Sequence, residues 1–121
     1  MSVFTKIKVE HYLYESQYFY IIKDKYPVSD FHLLIISKSN ALDFFLLSDD
    51  EKLELPLLIE KCKALILESK NPNGFNIGMN CGEVAGQSIM HFHCHVIPRY
   101  SGDMENPLGG VRHCVAGKGY Y

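Results

Sequence analysis

The stretch Gly86-Gln87-Ser88-Ile89-Met90-His91-Phe92-His93-Cys94-His95-Val96-Ile97-Pro98-Arg99 holds three of the six histidines of this 121-residue chain, at i, i+2 and i+4. On a strand, side chains two apart leave from one face. His91, His93 and His95 therefore form an imidazole row, while Phe92, Cys94 and Val96 leave toward a core. The alternation predicts a strand over Ile89 to Ile97, ended by Pro98. A single core histidine needs no explanation. Three in line have no packing purpose, so the row is read as a functional face.

The segments around this strand indicate what it pairs with. Upstream, His11 to Glu15 and Tyr18 to Lys23 are rich in aromatic and β-branched residues and read as strands. Asp24 to Asp30 is a polar connection broken by Pro27, and His32 to Ser37 is an apolar run expected to be buried on both faces. Ser48 with Glu51 three places on matches a capping box, and Asp49 and Asp50 suit a helix N-terminus. Leu53, Leu57, Leu58, Cys62, Leu65 and Ile66 then suggest one apolar helix face. Pro56 should kink this helix or mark its true start. Asn71-Pro72-Asn73-Gly74 stops it, and Phe75 to Asn80 is a further strand. From Ser101 onward the Gly- and Pro-rich sequence predicts an ordered but irregular tail. Strands with helices between them argue α+β with an antiparallel sheet.

Length suits a single domain over 1–121. The formal net charge of −2 and sequence pI of about 6.3 disfavour a nucleic-acid partner held by phosphate contacts. No window approaches the roughly 20 apolar residues of a membrane span, so no membrane association is expected. The N-terminal residues lack a signal-peptide layout, and a cytoplasmic location is the expectation. Cys62, Cys81, Cys94 and Cys114 form no C-x-x-C pair and read as free thiols.

Two chemistries suit the imidazole row. A zinc site would have to draw together outer residues roughly 13 Å apart along an extended strand. No Glu follows in Val96-Ile97-Pro98-Arg99 to complete a two-histidine site, so no metal or other cofactor is expected. Phosphate chemistry fits better. A neutral imidazole is a competent nucleophile, and its neighbours stabilise phosphoryl charge. Gln87 and Ser88 offer donors beside a Gly-rich turn, and Arg99 offers a bidentate fork.

Gly86-Gln87-Ser88-x-x-His91-x-His93-x-His95-x-x-Pro98-Arg99 closely resembles the signature of the histidine triad (HIT) family of nucleotide hydrolases and transferases. Phe4-x-Lys6-Ile7, Asp24-x-x-Pro27-x-Ser29-x-x-His32 through Lys38, and Asn80-x-Gly82 extend the likeness. The tail from Gly102 to Arg112 resembles bacterial diadenosine-tetraphosphate-hydrolase-like members. The resemblance implies a HIT-like fold: an antiparallel sheet of about five strands with one long and one short helix packed on it. It also implies a homodimer and a nucleotide substrate. His93 would attack the α-phosphorus and form a nucleotidyl-histidine intermediate. His91 and His95 would orient or stabilise the phosphate, beside His32. Gln87, Ser88 and Asn80 would hold its oxygens, Asp24 would accept from the ribose hydroxyls, and Ile22 would line the base cleft. Arg99 would reach distal phosphates or lie solvated. The alternatives are an adenosine phosphoramidase and a nucleotide-binding protein with little turnover.

The sequence departs from the family pattern in places. Phe31 stands where many members have a small residue, and Asn40 where many have a further histidine. Ser2, Val3 and Thr5 cannot supply the N-terminal zinc-binding Cys pair that some members carry, and Leu108 falls where the bacterial group often has Arg.

Overall fold

The computed structural model describes residues 2–121. Its strands are β1 (Tyr14–Glu15), β2 (Phe19–Lys23), β3 (Leu33–Ser37), β4 (Gly74–Gly78) and β5 (His93–Arg99). They form one sheet in the order β1-β2-β3-β5-β4, with every neighbouring pair antiparallel. One α-helix, α1 (Asp49–Leu67), packs across the sheet. The other helical pieces among the described residues are short 3-10 turns, so the expected short companion helix is a set of single turns.

β3 is buried along its whole length, as its apolar run predicts. One face of the sheet meets α1: Phe19, Ile21, Leu33, Ile35, Cys94 and Val96 pack with Leu55, Leu58, Cys62 and Ile66. The opposite face carries Tyr20, Ile22, Leu34 and Ile36, covered by Phe4 from the N-terminal turn Val3–Lys6. The imidazole row shares this second face.

β5 begins at His93, four residues later than the alternation predicts. His91 N–H bonds the Ile89 carbonyl in a tight turn, and Phe92 N–H is taken by the Ala41 carbonyl. β5 also runs through Pro98, which lies opposite Phe75. The Pro98 carbonyl accepts from Ser29 Oγ at 2.6 Å. A residue's N and O point to the same side of a strand, so the missing N–H faces the β3 side. There β3 has already ended, with Leu33 opposite Val96. No ladder bond is lost, and proline is tolerated. The first expected strand shrinks to Tyr14–Glu15, because Val9–His11 closes into a 3-10 turn.

The capping box forms as expected: Ser48 Oγ accepts from Glu51 N–H, and a Glu51 carboxylate oxygen accepts from Ser48 N–H. Burial pushes the Glu51 carboxyl up, but bonds from Ser39 and Ser48 outweigh it and hold the group below its ordinary value. Pro56 does not end the helix, which runs through it from Asp49 to Leu67. It sits on the exposed side, where water can reach the carbonyl that loses its donor. The buried stripe is Glu51, Leu55, Leu58, Cys62 and Ile66, which corrects the expected face. Leu53 and Leu57 stand about 200° around the helix from Leu55 and are 76% and 67% exposed.

Phe31 adopts φ +73°, a conformation that favours glycine. The strain is held by its packing on the main core and by Lys23 Nζ, 4.6 Å from the ring centroid. The tail is ordered without regular structure, apart from a 3-10 turn at Gly110–Cys114. It closes on itself tightly: a Cβ at Gly119 would lie 1.9 Å from the His113 ring.

Leu55→Ala is expected to lower the unfolding free energy by about 3 kcal/mol, and Leu53→Ala by less than about 0.5 kcal/mol. Urea unfolding of the two variants distinguishes the observed helix face from the one the sequence suggests.

Candidate active site

Ile22, Asp24, His32, Asn80, Ser88, His93 and His95 line one cavity of about 650 Å³ on the sheet face opposite α1. Most of the residues singled out in the sequence therefore converge. The end of β2 supplies Ile22 and Asp24, the start of β3 supplies His32, and β5 supplies His93 and His95. Asn80 and Ser88 come from the loop between β4 and β5, which turns at Gly86 with φ +96°. Phe4 closes the near wall, its ring centroid 5.1 Å from that of His93.

Hydrogen bonding assigns the proton on each imidazole. His93 Nδ1–H donates to the His91 carbonyl at 2.8 Å. Its Nε2 is therefore left with a free lone pair. Val28 N–H donates to His32 Nδ1 at 3.1 Å, so neutral His32 carries its proton on Nε2. That proton faces His95 Nδ1 at 2.9 Å and Asp24 Oδ2 at 3.3 Å. His95 Nδ1 accepts, which puts the His95 proton on Nε2. Two rings two residues apart thus present opposite chemistry: a lone pair on His93 and an N–H on His95.

His91 takes a different place. It is 3% exposed, and both nitrogens are engaged: Nε2–H donates to the Ser37 carbonyl at 2.8 Å, and Nδ1 accepts from Ser2 Oγ at 2.7 Å. Its side chain anchors β5, and its carbonyl orients His93. Gln87 is also buried and committed. Nε2 donates to the Leu42 and Ile89 carbonyls, and Oε1 accepts from Gly82 N–H at 2.9 Å. It braces the loop rather than offering an amide to a ligand. Arg99 forms a bidentate pair with Asp103 at 2.7 and 2.8 Å and donates to Asn76 Oδ1, away from the cavity. It is neither in the cavity nor simply solvated.

Burial first, then the neighbouring His93 and His32, push His95 down to about 4, against an opposing effect of Asp24. Burial likewise lowers His32, with Asp24 opposing. Both rings are neutral near pH 7. Asp24, His32 and His95 also bring their ligand atoms within 4.8 Å of one another, a spacing compatible with a metal ion. The Val28 N–H argues otherwise, because it forces the His32 proton onto the nitrogen that would have to bind the ion. The trio is better described as a hydrogen-bonded relay.

The sequence does not disclose the Val28 N–H and the His91 carbonyl, since a backbone group carries no residue-type signal. Phe4 was visible only through the resemblance of the N-terminal segment.

The family model described as "HIT domain" matches residues 6–102. The chain belongs to the HIT family. A HIT-like protein of Mycoplasma pneumoniae is 38% identical over 87 residues, covering 71% of this chain and 60% of that one. An AP-4-A phosphorylase of Mycobacterium tuberculosis is 35% identical over 85 residues, covering 69% of this chain and 44% of that protein. The crystal structure of a HIT family protein from Bacillus anthracis superposes with a TM-score of 0.71 at 35% identity, covering 76% of this chain and 65% of that one. This HIT chain thus spans about three fifths or less of the length of these two curated relatives. Its triad is His91, His93 and His95, of which His93 and His95 face the cavity.

The depressed His95 value has a consequence for stability. Its folded value of about 4 lies below the ordinary 6.5. The unfolded chain therefore binds the extra proton between these values, and the stability present above about pH 6.5 is lost as pH falls toward 4. His32 acts in the same direction. Chemical denaturation from pH 7 to pH 4 is expected to show this loss, with a shallower slope in His95→Gln.

Proposed function

We propose that this protein is a nucleotide hydrolase or nucleotidyl transferase acting on the α-phosphate of a nucleoside phosphate derivative through a nucleotidyl-histidine intermediate. The observation that carries the reading is the bond from His93 Nδ1–H to the His91 carbonyl, which leaves Nε2 as a fixed lone pair in the cavity. The base lies against Ile22, the ribose hydroxyls meet Asp24, and Asn80 and Ser88 meet the phosphate oxygens.

The reaction balances with the groups present. The anionic phosphate offsets the influences that keep His95 neutral in the free protein, so the complex takes up one proton. Both N–H groups on this side then turn to Asp24 Oδ2, which lies 3.3 Å from His32 Nε2 and 3.8 Å from His95 Nδ1. His93 Nε2 attacks phosphorus, and a new N–P bond forms. The bond to the leaving atom breaks with its electron pair, and that atom takes the His95 Nε2 proton. Water next attacks phosphorus and gives its proton to His95, and the N–P electron pair returns to His93.

A typical acceleration of about 10⁶ requires roughly 8 kcal/mol of barrier reduction. Positioned acid–base catalysis supplies about 10²–10⁴, so the covalent step and hydrogen bonds to the phosphoryl oxygens must supply the rest. β4 is an edge strand paired only with β5, and we place a homodimer contact along that open edge.

Three measurements test this reading. With a nucleotide labelled on its α-phosphate, rapid quenching of the wild type should trap label on His93. His93→Ala should lose at least about 10³-fold in turnover while nucleotide affinity stays within about tenfold. Retained turnover in that variant removes His93 as nucleophile. Sedimentation should give a dimer, and a monomer at all concentrations overturns the edge-strand contact.

A further inference from the structure

A cavity of about 900 Å³ adjoins the site on the Asp24 side. Ile22 and Asp24 border both cavities, and so do Lys6 and Lys25. Lys8 and Lys23 line the outer cavity alone. Four of the ten lysines, in a chain of net charge −2, thus surround one hollow. Lysines elsewhere are mostly matched. Lys38 pairs with Glu15 and Lys70 with Asp30, while Lys52, Lys61 and Lys63 lie over aromatic rings. Lys23 is likewise held over Phe31. Among the described residues, Lys6 and Lys8 meet neither an acid nor a ring. Lys25 has only the Tyr26 ring, 5.9 Å from Nζ. The two carboxylates on the cavity wall do not neutralise these three. Glu10 lies 3.7 Å from His11. Asp24 accepts from Tyr26 N–H through Oδ1 at 2.8 Å and faces His32 through Oδ2.

We propose that this cavity holds a second phosphate, carried by the nucleotide on one of its ribose hydroxyls. The inference rests on the reading above, which sets the ribose at Asp24. Asp24 borders the lysine-lined cavity, so a group attached to a hydroxyl beside it enters that cavity. The other hydroxyl remains to donate to Asp24. A phosphate brings about two charges and three acceptor oxygens. Lys6, Lys8 and Lys25 answer with three donors each on flexible stems. Both Asp24 oxygens already hold hydrogen-bond partners, which limits their repulsion of the anion. Each exposed lysine contact is weak by itself, so the binding depends on several together and is sensitive to salt. The contact lies away from the reacting phosphorus. It therefore strengthens ground state and transition state alike, lowering KM and leaving kcat unchanged.

Calorimetry with adenosine 5′-monophosphate, adenosine 3′,5′-bisphosphate and the 2′,5′ isomer tests the proposal without requiring turnover. At low salt, one bisphosphate is expected to bind at least about tenfold tighter than the monophosphate. The isomer preferred shows which hydroxyl stays with Asp24. Raising salt from about 0.05 M to about 0.5 M should reduce the preference several-fold. Lys8 is exposed and lines no part of the catalytic cavity, so its replacement leaves the fold and the nucleotide site in place. Lys8→Glu should cut the preference at least about fivefold, and Lys8→Gln by a smaller factor, with monophosphate affinity within about twofold in both. Equal affinity for all three ligands overturns the proposal, as does a preference that both variants retain. Turnover of adenosine 5′-phosphoramidate, with and without the added phosphate, separates this inference from the reading beneath it. Turnover of both with equal KM leaves nucleotidyl transfer standing and removes the second phosphate site. Absence of turnover with both removes nucleotidyl transfer, and the affinities alone then decide the site.

Discussion

The orientation of one imidazole depends on one carbonyl. His93 Nδ1–H donates to the backbone oxygen of His91, two residues before it. A side chain rarely reaches that oxygen in a regular strand, where backbone carbonyls serve the ladder. Here the chain is still turning at Ile89 to Phe92, and β5 begins only at His93. The irregular entry that shortens the strand therefore also orients the His93 ring. Gln87 and His91 maintain that entry, each spending its side-chain polar atoms on backbone or on Ser2. These two belong to the quoted motif without facing the cavity. Their burial supports the rings that do.

The His32 relay works by the same logic from the other side. A backbone N–H at Val28 selects the His32 tautomer, and His32 selects that of His95. The loop making this contact turns through Phe31 at positive φ. Strain at a bulky residue is tolerated there because its ring packs against the core and beneath Lys23. Two backbone groups thus set two rings in complementary states. Burial is the largest influence that keeps His95 neutral, and Asp24 opposes it.

The sheet sets the order of the residues that line the cavity. Its strand order sets Ile22 and Asp24 at the end of β2, His32 at the start of β3, and His93 and His95 on β5. α1 occupies the other face and leaves this one open. The tail then adds a wall over β4, closing tightly at Gly119 against His113, and the exposed Arg112 donates to the Gly119 carbonyl.

The sequence by itself determined the periodic features. Alternation marked the imidazole face, the capping box placed the start of α1, and the apolar run from His32 to Ser37 marked a strand buried on both faces. It also brought together Asp24, His32, Asn80, Ser88, His93 and His95 as one site through a family resemblance. These are legible because they depend on residue type at fixed spacing. The sequence misassigned Leu53 and Leu57, because a leucine-rich helix offers several apolar stripes and only the sheet decides which is buried. It also left Gln87 and Arg99 as ligand contacts, since an amide or guanidinium looks the same whether its partner is a phosphate, a carbonyl or Asp103. Only the tertiary structure decided the tautomers, the role of His91 and the passage of β5 through Pro98. Each depends on where backbone N–H and C=O groups point, and every residue carries those groups alike.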